Sequence, residues 1–186
     1  MSNDFITLKD GIFTVGIDDA PHIRGQQTTK LVFIFCRGKL LEYILTAEIE
    51  VDGLDATDKL IEVLISELNR FSIIFTHGIT CGGFNLLDLE VIHKKIQKPV
   101  IAVTENTPQG AFYTAMKNLP DYLIRKEIAD KAGKMHACAP STGEKNVYFY
   151  KKGITVHKAQ LFIEKFAFRS RLPEQVLLAH KIASGI

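Results

Sequence analysis

The chain has 186 residues, of which 46 % are hydrophobic and 24 % are charged, with a formal net charge of +2. This composition is typical of one globular domain, and we predict a single domain over residues 1–186. It excludes a membrane-spanning segment, because no apolar run approaches the roughly 18 residues that cross a bilayer, and the first residues lack the pattern of a secretory signal. We therefore expect a cytoplasmic protein with no membrane partner.

The cysteines and the charge distribution narrow the function classes further. Cys36, Cys81 and Cys138 form no CxxC pair, so neither a structural zinc site nor a disulfide framework is predicted. Residues 1–130 carry 13 Lys/Arg against 18 Asp/Glu, whereas residues 131–186 carry 10 against 3. A basic C-terminal third can attract a phosphate backbone, although solvated surface lysines explain the same excess.

The first half of the chain predicts strands followed by alternating helices and strands. Apolar or alternating runs predict strands at about 14–18, 31–36 and 40–51. Apolar residues then recur at helical spacing from Thr57 to Leu68, with Thr57 as the predicted N-cap. A buried strand at 72–75, a glycine-rich turn at 78–84, a helix capped by Asn85 that runs to about Ile96, and a strand at 99–103 are predicted next.

The second half is less sharply punctuated. It predicts helices at 109–117 and 121–131, a polar loop at 135–145, a strand at 147–150, and helices at about 156–168 and from Pro173 to about 184. Three strands, one helix and then alternating strands and helices is the element order of an RNase H-like mixed sheet. We therefore predict an α/β fold of that class, with helices on both faces of the sheet.

Adjacent carboxylates end the first predicted strand. Asp18 and Asp19 follow Val15-Gly16-Ile17. A buried carboxylate costs several kcal/mol unless a metal ion or a hydrogen-bond donor binds it. If Val15 and Ile17 share one face, Asp18 shares the other with Gly16, whose missing side chain leaves room for a ligand. The alternative is that both acids begin a loop and are solvated.

More acids surround the predicted start of the first helix. Asp52, Asp55 and Asp58 are either metal ligands or ordinary turn and first-turn residues. In an RNase H-like layout, acids from the first strand, the first helix and the end of the fourth strand converge, because two cations about 4 Å apart need bridging carboxylates. Asp88, three residues past the predicted N-cap Asn85, is explained as the N3 acid of a capping arrangement.

The glycine-rich turn is the candidate phosphate contact. Gly82, Gly83 and Asn85 would present polar groups just before a predicted helix, where an anion can be held, although two glycines are a weak signal. A small-molecule enzyme that uses this turn as an anion site is a further alternative. His77 ends the fourth predicted strand, and it belongs to no HxH or HxxxH pattern.

Five blocks of the chain are distinctive. They are Val15–Asp19, 51–57, 78–85 with Asp88, 98–103, and 172–174 with Ala179-His180. In sequence and order they resemble the archaeal endonuclease dU family, which is also known as domain of unknown function 99 and is similar to endonuclease V. The resemblance covers nearly the whole chain. It implies an RNase H-like fold and cleavage of DNA containing deaminated bases, notably deoxyuridine, with Mg²⁺ or Mn²⁺ as cofactor.

The resemblance also implies site residues. It makes Asp18 the metal ligand of the first strand and Asp58 the acid of the first helix, and their supporting residues would be Asp19, Asp52, Asp55, His77 and Asp88. The chain departs from the family pattern where the family usually reads Asp-Gly-Ile-Thr, since His77 stands in place of that aspartate. It departs again after the fifth predicted strand, where the family usually has a basic residue near the position of Glu105. An imidazole is a poor magnesium ligand, and an acid repels a phosphate.

Two functions stay open at the level of sequence. The first is a metal-dependent endonuclease with Asp18, Asp58 and His77 at the catalytic centre, which requires these side chains to lie within about 5 Å of a common point. The second is a non-catalytic nucleic-acid-binding relative with a degenerate metal site. The sequence does not decide between DNA and RNA, and it leaves the oligomeric state, including a homodimer, open.

Overall fold

A computed structural model of the chain describes residues 8–107 and 110–186. Its strands are β1 (Phe13–Asp19), β2 (Thr28–Arg37), β3 (Leu40–Glu50), β4 (Ile73–His77), β5 (Thr80–Cys81), β6 (Asn85–Leu86), β7 (Val100–Thr104), β8 (His136–Cys138) and β9 (Val147–Lys152). Its α-helices are α1 (Ala56–Ser66), α2 (Leu89–Ile96), α3 (Gly110–Lys117), α4 (Tyr122–Ala132), α5 (Val156–Phe166) and α6 (Glu174–Ala183). None of the described helices has the length and hydropathy that crossing a bilayer requires.

Seven strands form one mixed sheet in the order β3-β2-β1-β4-β7-β9-β8. Strands β1, β4 and β7 run parallel to one another, and the other pairs in this sheet are antiparallel. Continuous apolar runs occupy the parallel centre because helices cover both of its faces. Because β1 and β4 are parallel neighbours, their carboxyl ends meet at one edge of the sheet, which brings Asp18 next to His77.

The two faces of the sheet have separate cores. Val15 and Ile17 of β1 pack in a cluster that includes Leu60 of α1 and Ile92 of α2. On the other face, α5 and α6 cover strands β4 and β2 with side chains such as Phe162, Phe166 and Ala179. Because side chains alternate along a strand, Gly16 and Asp18 face α6 while Val15 and Ile17 face α1. The mixed sheet with helices on both faces matches the sequence prediction.

Gly16 lies where the backbone of α6 packs directly against the sheet. An ideal Cβ placed on Gly16 would lie 2.3 Å from the backbone oxygen of Gln175. The sequence interpretation that this glycine leaves room for a ligand is therefore wrong, because the backbone of α6 fills that room. The consequence is that α6 is held directly against β1, one residue away from Asp18.

Several local predictions need correction. Helix α2 begins at Leu89 rather than near Asn85, because the glycine-rich segment turns into the β5–β6 hairpin first. Thr57 is not the N-cap of α1: Asp55 holds that position, and the Thr57 hydroxyl accepts the backbone N–H of Asp88 at 2.9 Å. The loop predicted over residues 135–145 contains β8, which completes the sheet by pairing with β9. Residue 109, the predicted start of α3, lies outside the described residues.

Candidate metal and nucleic-acid site

Asp18 lies buried near the carboxyl end of β1, and its side chain is 5 % exposed. Its Oδ2 atom lies 3.0 Å from Nδ1 of His77 and 2.9 Å from Nδ1 of His180, and its Oδ1 atom accepts the N–H of Asp19 at 3.0 Å. In the described ranges no lysine or arginine forms an ion pair with this carboxylate. The alternative of a solvated loop residue is therefore excluded.

Three separate elements bring this group together. Asp18 comes from β1, His77 from the end of β4 and His180 from α6, and one donor atom from each lies within 4.8 Å of the others. The two imidazole rings approach edge to face, with ring centroids 5.2 Å apart. Sequence reasoning did not select His180, which follows Asp18 by 162 positions. Its one signal was its place in the block Ala179-His180.

The electrostatic environment of the group is negative. Burial of His77 disfavours its charged form, but its hydrogen bond to Asp18 and the charges of Asp18, Glu105 and Asp19 outweigh burial and raise the pKa of His77. Burial raises the pKa of Asp19 and the charge of Asp18 adds to this effect, while the N–H of Gly82 opposes it. Such a potential attracts a cation.

The donor set fits a bound divalent cation. One carboxylate oxygen and two imidazole nitrogens converge, and both kinds of atom are common metal ligands in proteins. The buried charge of Asp18 has no Lys or Arg partner among the described residues, so a metal ion would neutralise it. Three protein ligands also leave coordination positions for water or a substrate oxygen, which is the usual form of a catalytic metal site.

Asp58, a predicted member of this site, is not brought into the group. It is exposed in the first turn of α1, and α1 packs on the face of the sheet that carries Val15 and Ile17. Asp18 points toward α6 on the opposite face. The predicted convergence therefore includes Asp18 and His77, and the third donor is His180 instead of Asp58.

The remaining predicted acids have internal partners. Asp55 Oδ1 accepts the side-chain amide of Asn85 at 2.6 Å, and Asp52 Oδ1 accepts the backbone N–H of Phe84 at 2.8 Å. Asp88 Oδ1 accepts two backbone N–H groups of the first turn of α2 at 3.0 Å each, so Asp88 is the N-cap of this helix and not the predicted N3 acid. The contacts of Asp52 and Asp55 tie the loop after β3 to the β5–β6 hairpin, those of Asp88 are local to α2, and the structure places Asp55 and Asp88 outside the Asp18 group.

The glycine-rich turn is likewise engaged within the protein. The N–H of Gly82 donates to Oδ2 of Asp19 at 2.8 Å, and Gly83 has φ +83°, with an ideal Cβ only 2.3 Å from Oδ1 of Asp52. Asn85 is fully buried and bonds the start of α1. Gly82 and Asn85 bind the protein's own groups, and the turn leads into the short strand β6 rather than directly into a helix.

Glu105 is paired with a cation. Its Oε1 atom lies 2.6 Å from a guanidinium nitrogen of Arg171, whose side chain is 23 % exposed. The repulsion of phosphate expected from an acid at this position is therefore offset by the arginine beside it. The same pair lines a polar groove with Lys145 and Asn146.

An aromatic pocket opens at the same edge of the sheet. Its volume is about 270 Å³, close to the lower end of the range of about 300–1,000 Å³ for small-molecule sites. It begins at Gly78, the residue after His77. Its lining includes rings and polar side chains, among them Phe112, Tyr113, Tyr150, Thr104 and Asn106.

Comparison with known proteins relates the chain to one family. The family model described as endonuclease dU matches residues 10–186. A UPF0215 protein of Methanopyrus kandleri is 33 % identical over 183 residues, which cover 96 % of this chain and 93 % of the relative. A UPF0215 protein of Archaeoglobus fulgidus is 34 % identical over 175 residues, which cover 92 % of this chain and 92 % of the relative.

Solved structures agree in fold. A crystal structure of a protein of unknown function from Archaeoglobus fulgidus has a TM-score of 0.83 at 33 % identity, and the match covers 94 % of this chain and 97 % of that one. Endonuclease V of Ciona intestinalis, solved with a DNA that contains inosine followed by a ribo-adenosine, has a TM-score of 0.62 at 12 % identity, covering 98 % and 88 % of the two chains. The endonuclease V-like fold predicted from the sequence is confirmed.

Proposed function

Because the chain belongs to the endonuclease dU family, we propose that it is a metal-dependent endonuclease that cleaves DNA containing deaminated bases. The observation that carries this proposal is the convergence of Asp18, His77 and His180 at the edge of the sheet where the pocket opens. A non-catalytic nucleic-acid-binding protein is the second candidate, since His77 supplies no negative charge to a metal site and Asp58 does not converge with Asp18 and His77 as the sequence prediction for a nuclease required.

The residues of the group divide the work of hydrolysis. A bound divalent cation would lower the pKa of an attacking water and stabilise the leaving oxygen. Asp18 contributes the negative charge, and its position is fixed by contacts to both carboxylate oxygens. The side chain of His180 is 52 % exposed, so a substrate oxygen could reach the ion at this ligand.

Substrate selection rests on charge and on the pocket. The basic C-terminal third of the chain attracts the phosphate backbone, and Arg171 lies in the groove next to the pocket residue Asn106. Deamination replaces an amino group of a base by a carbonyl oxygen. The amide N–H groups of Asn106 can donate to such an oxygen, while Phe112 and Tyr113 offer rings on which an extruded base can stack.

The test is cleavage of end-labelled duplexes that contain one deoxyuridine, one deoxyinosine or no altered base, with Mn²⁺, Mg²⁺ or EDTA. We expect one metal-dependent nick near the altered base, and a rate at least about 100-fold lower for Asp18→Asn, the scale for loss of one group that stabilises transition-state charge. Asn106→Asp removes the donors and should reduce the preference for the altered base.

Two outcomes contradict the proposal. If the wild type and Asp18→Asn, prepared in the same way, cleave DNA equally, the activity does not depend on the Asp18 group and comes from a contaminant. Binding of the altered duplex without cleavage under any metal would favour the second candidate. Circular dichroism of each variant establishes that a lost activity is not a lost fold.

A further inference from the structure

We propose that Asp18, His77 and His180 form a site that selects a first-row transition-metal dication, of the class of Mn²⁺, Fe²⁺, Co²⁺ and Zn²⁺, over Mg²⁺. The proposal rests on the proposed function for the reaction that the ion would serve. The binding preference itself follows from the donor atoms, and it can be measured without DNA.

The donor atoms argue against Mg²⁺. Magnesium prefers oxygen ligands in octahedral geometry and usually takes one or two carboxylates together with water and phosphate oxygens. This group offers one carboxylate and two imidazole nitrogens. Imidazole nitrogen suits the later transition metals, and two histidines with one carboxylate are a recurring set for zinc and for non-haem iron. The exchange of an oxygen donor for His77 therefore changes which ion is preferred.

The spacing of the donors agrees with one shared ion. The Nδ1 atoms of His77 and His180 lie 3.0 and 2.9 Å from the same oxygen of Asp18. Two ligands at about 2.1 Å from an ion, and at right angles, are about 3.0 Å apart. The Nδ1 atoms thus stand where two ligands adjacent to the carboxylate oxygen would stand.

The charges favour a cation at this point. Asp18 is buried, and Asp19, which follows it along β1, has a half-buried side chain. Both partners of Asp18 Oδ2 are imidazoles, and neutral imidazoles leave its negative charge uncompensated. A dication supplies the missing charge, whereas a protonated imidazole is the competing explanation that the experiment must separate.

The third donor is positioned by the packing of α6. The backbone of Gln175 lies against Gly16, and the Gln175 side-chain amide donates to the backbone oxygen of Gly38 at 2.9 Å. These contacts fix the first turn of α6 on β1, and Ala179 is fully buried beside His180. A donor held by a rigid element loses little entropy when an ion binds.

The experiment measures metal binding by the purified full-length chain, freed of metal by a chelator. Titration with Co²⁺ is followed by its visible absorption, and Mn²⁺, Zn²⁺ and Mg²⁺ are compared by calorimetry and by competition. We expect one Co²⁺ per chain, with Mg²⁺ at least about 100-fold weaker. His180→Ala should weaken Co²⁺ binding at least about 10-fold, while His157→Ala, at an exposed histidine of α5, should leave it unchanged.

A second variant makes the preference itself testable. His77→Asp supplies a second carboxylate, so we expect Mg²⁺ to bind more tightly and Co²⁺ less tightly than in the wild type. The proposal is overturned if Mg²⁺ binds the wild type as tightly as Co²⁺, if no ion binds, or if His180→Ala does not change Co²⁺ affinity. Selective binding without DNA cleavage would refute only the nuclease proposal, and DNA cleavage by a protein that binds Mg²⁺ as tightly as Co²⁺ would refute only this one.

Discussion

At the scale of single residues, Arg125 shows how this protein accommodates a buried charge. Its side chain is 2 % exposed, and its guanidinium donates to the backbone oxygens of Asp52, Gly53, Phe84 and Pro120. The planar guanidinium offers five N–H donors in fixed directions, so one side chain can bind several carbonyl groups at once. Arg125 thereby fastens α4 to the loop after β3 and to the β5–β6 hairpin.

Replacing Arg125 should therefore destabilise the fold strongly. Arg125→Met leaves buried carbonyl oxygens without donors, and we expect the free energy of unfolding to fall by about 2–4 kcal/mol, since each unsatisfied buried group costs about 1–3 kcal/mol. Urea denaturation followed by circular dichroism measures the change. Lys126→Met is the control: that side chain is 48 % exposed and pairs only with Asp130 in the described structure, so its loss should cost less than about 0.5 kcal/mol. Equal effects of the two changes would refute this role for Arg125.

At the scale of elements, the segment between β4 and α2 is organised by carboxylates. Asp19, Asp52 and Asp55 bind the β5–β6 hairpin, and Asp88 binds the first turn of α2. Local sequence patterns indicate that such acids sit in turns and caps, but not which acid binds which element. The chain therefore has more carboxylates near the sheet edge than its metal group uses.

Asp88 allows a structural acid to be distinguished from a metal ligand. Asp88→Ala removes the side-chain cap of α2, and we expect a loss of about 1 kcal/mol in the free energy of unfolding, whereas Asp88→Asn retains a capping oxygen and should be close to the wild type. Both variants should bind Co²⁺ with unchanged affinity in the spectroscopic titration. A large loss of Co²⁺ affinity in Asp88→Asn, with stability preserved, would instead make Asp88 a ligand.

At the scale of the whole molecule, the candidate site joins the two ends of the chain. Apolar runs predicted β1 and β4, and Pro173 predicted the start of α6, because these signals are local. The sequence left open whether Asp18 is buried in a strand or solvated in a loop. The partnership with His180 depends on how α6 docks, 162 positions later in the chain, and no local pattern contains that information. Asp58 was assigned to the site from the resemblance to the family. The sequence could not show that α1 covers the opposite face of the sheet, because that is a property of the assembled sheet.

The docking of α6 on β1 is the step on which both the fold and the metal group depend. Strand β1 has no side chain at Gly16, and the backbone of α6 packs against that position. The contact buries a cluster in which Ile34 of β2 packs with Ala179 and Ala183 of α6. Because His180 follows Ala179, any shift of α6 away from the sheet moves an imidazole away from Asp18.

A single methyl group tests this coupling. In Gly16→Ala the new Cβ would lie 2.3 Å from a backbone oxygen of α6, and a backbone atom cannot move aside as the end of a flexible side chain can. We therefore expect a loss of about 1–3 kcal/mol in the free energy of unfolding, together with weaker Co²⁺ binding. Gly110→Ala, where no atom of the described residues lies within 4 Å of the added Cβ, should change neither quantity adversely. A Gly16→Ala protein that loses stability but binds Co²⁺ as tightly as the wild type would separate the docking of α6 from the metal group, and His180 would then not be a ligand held by that contact.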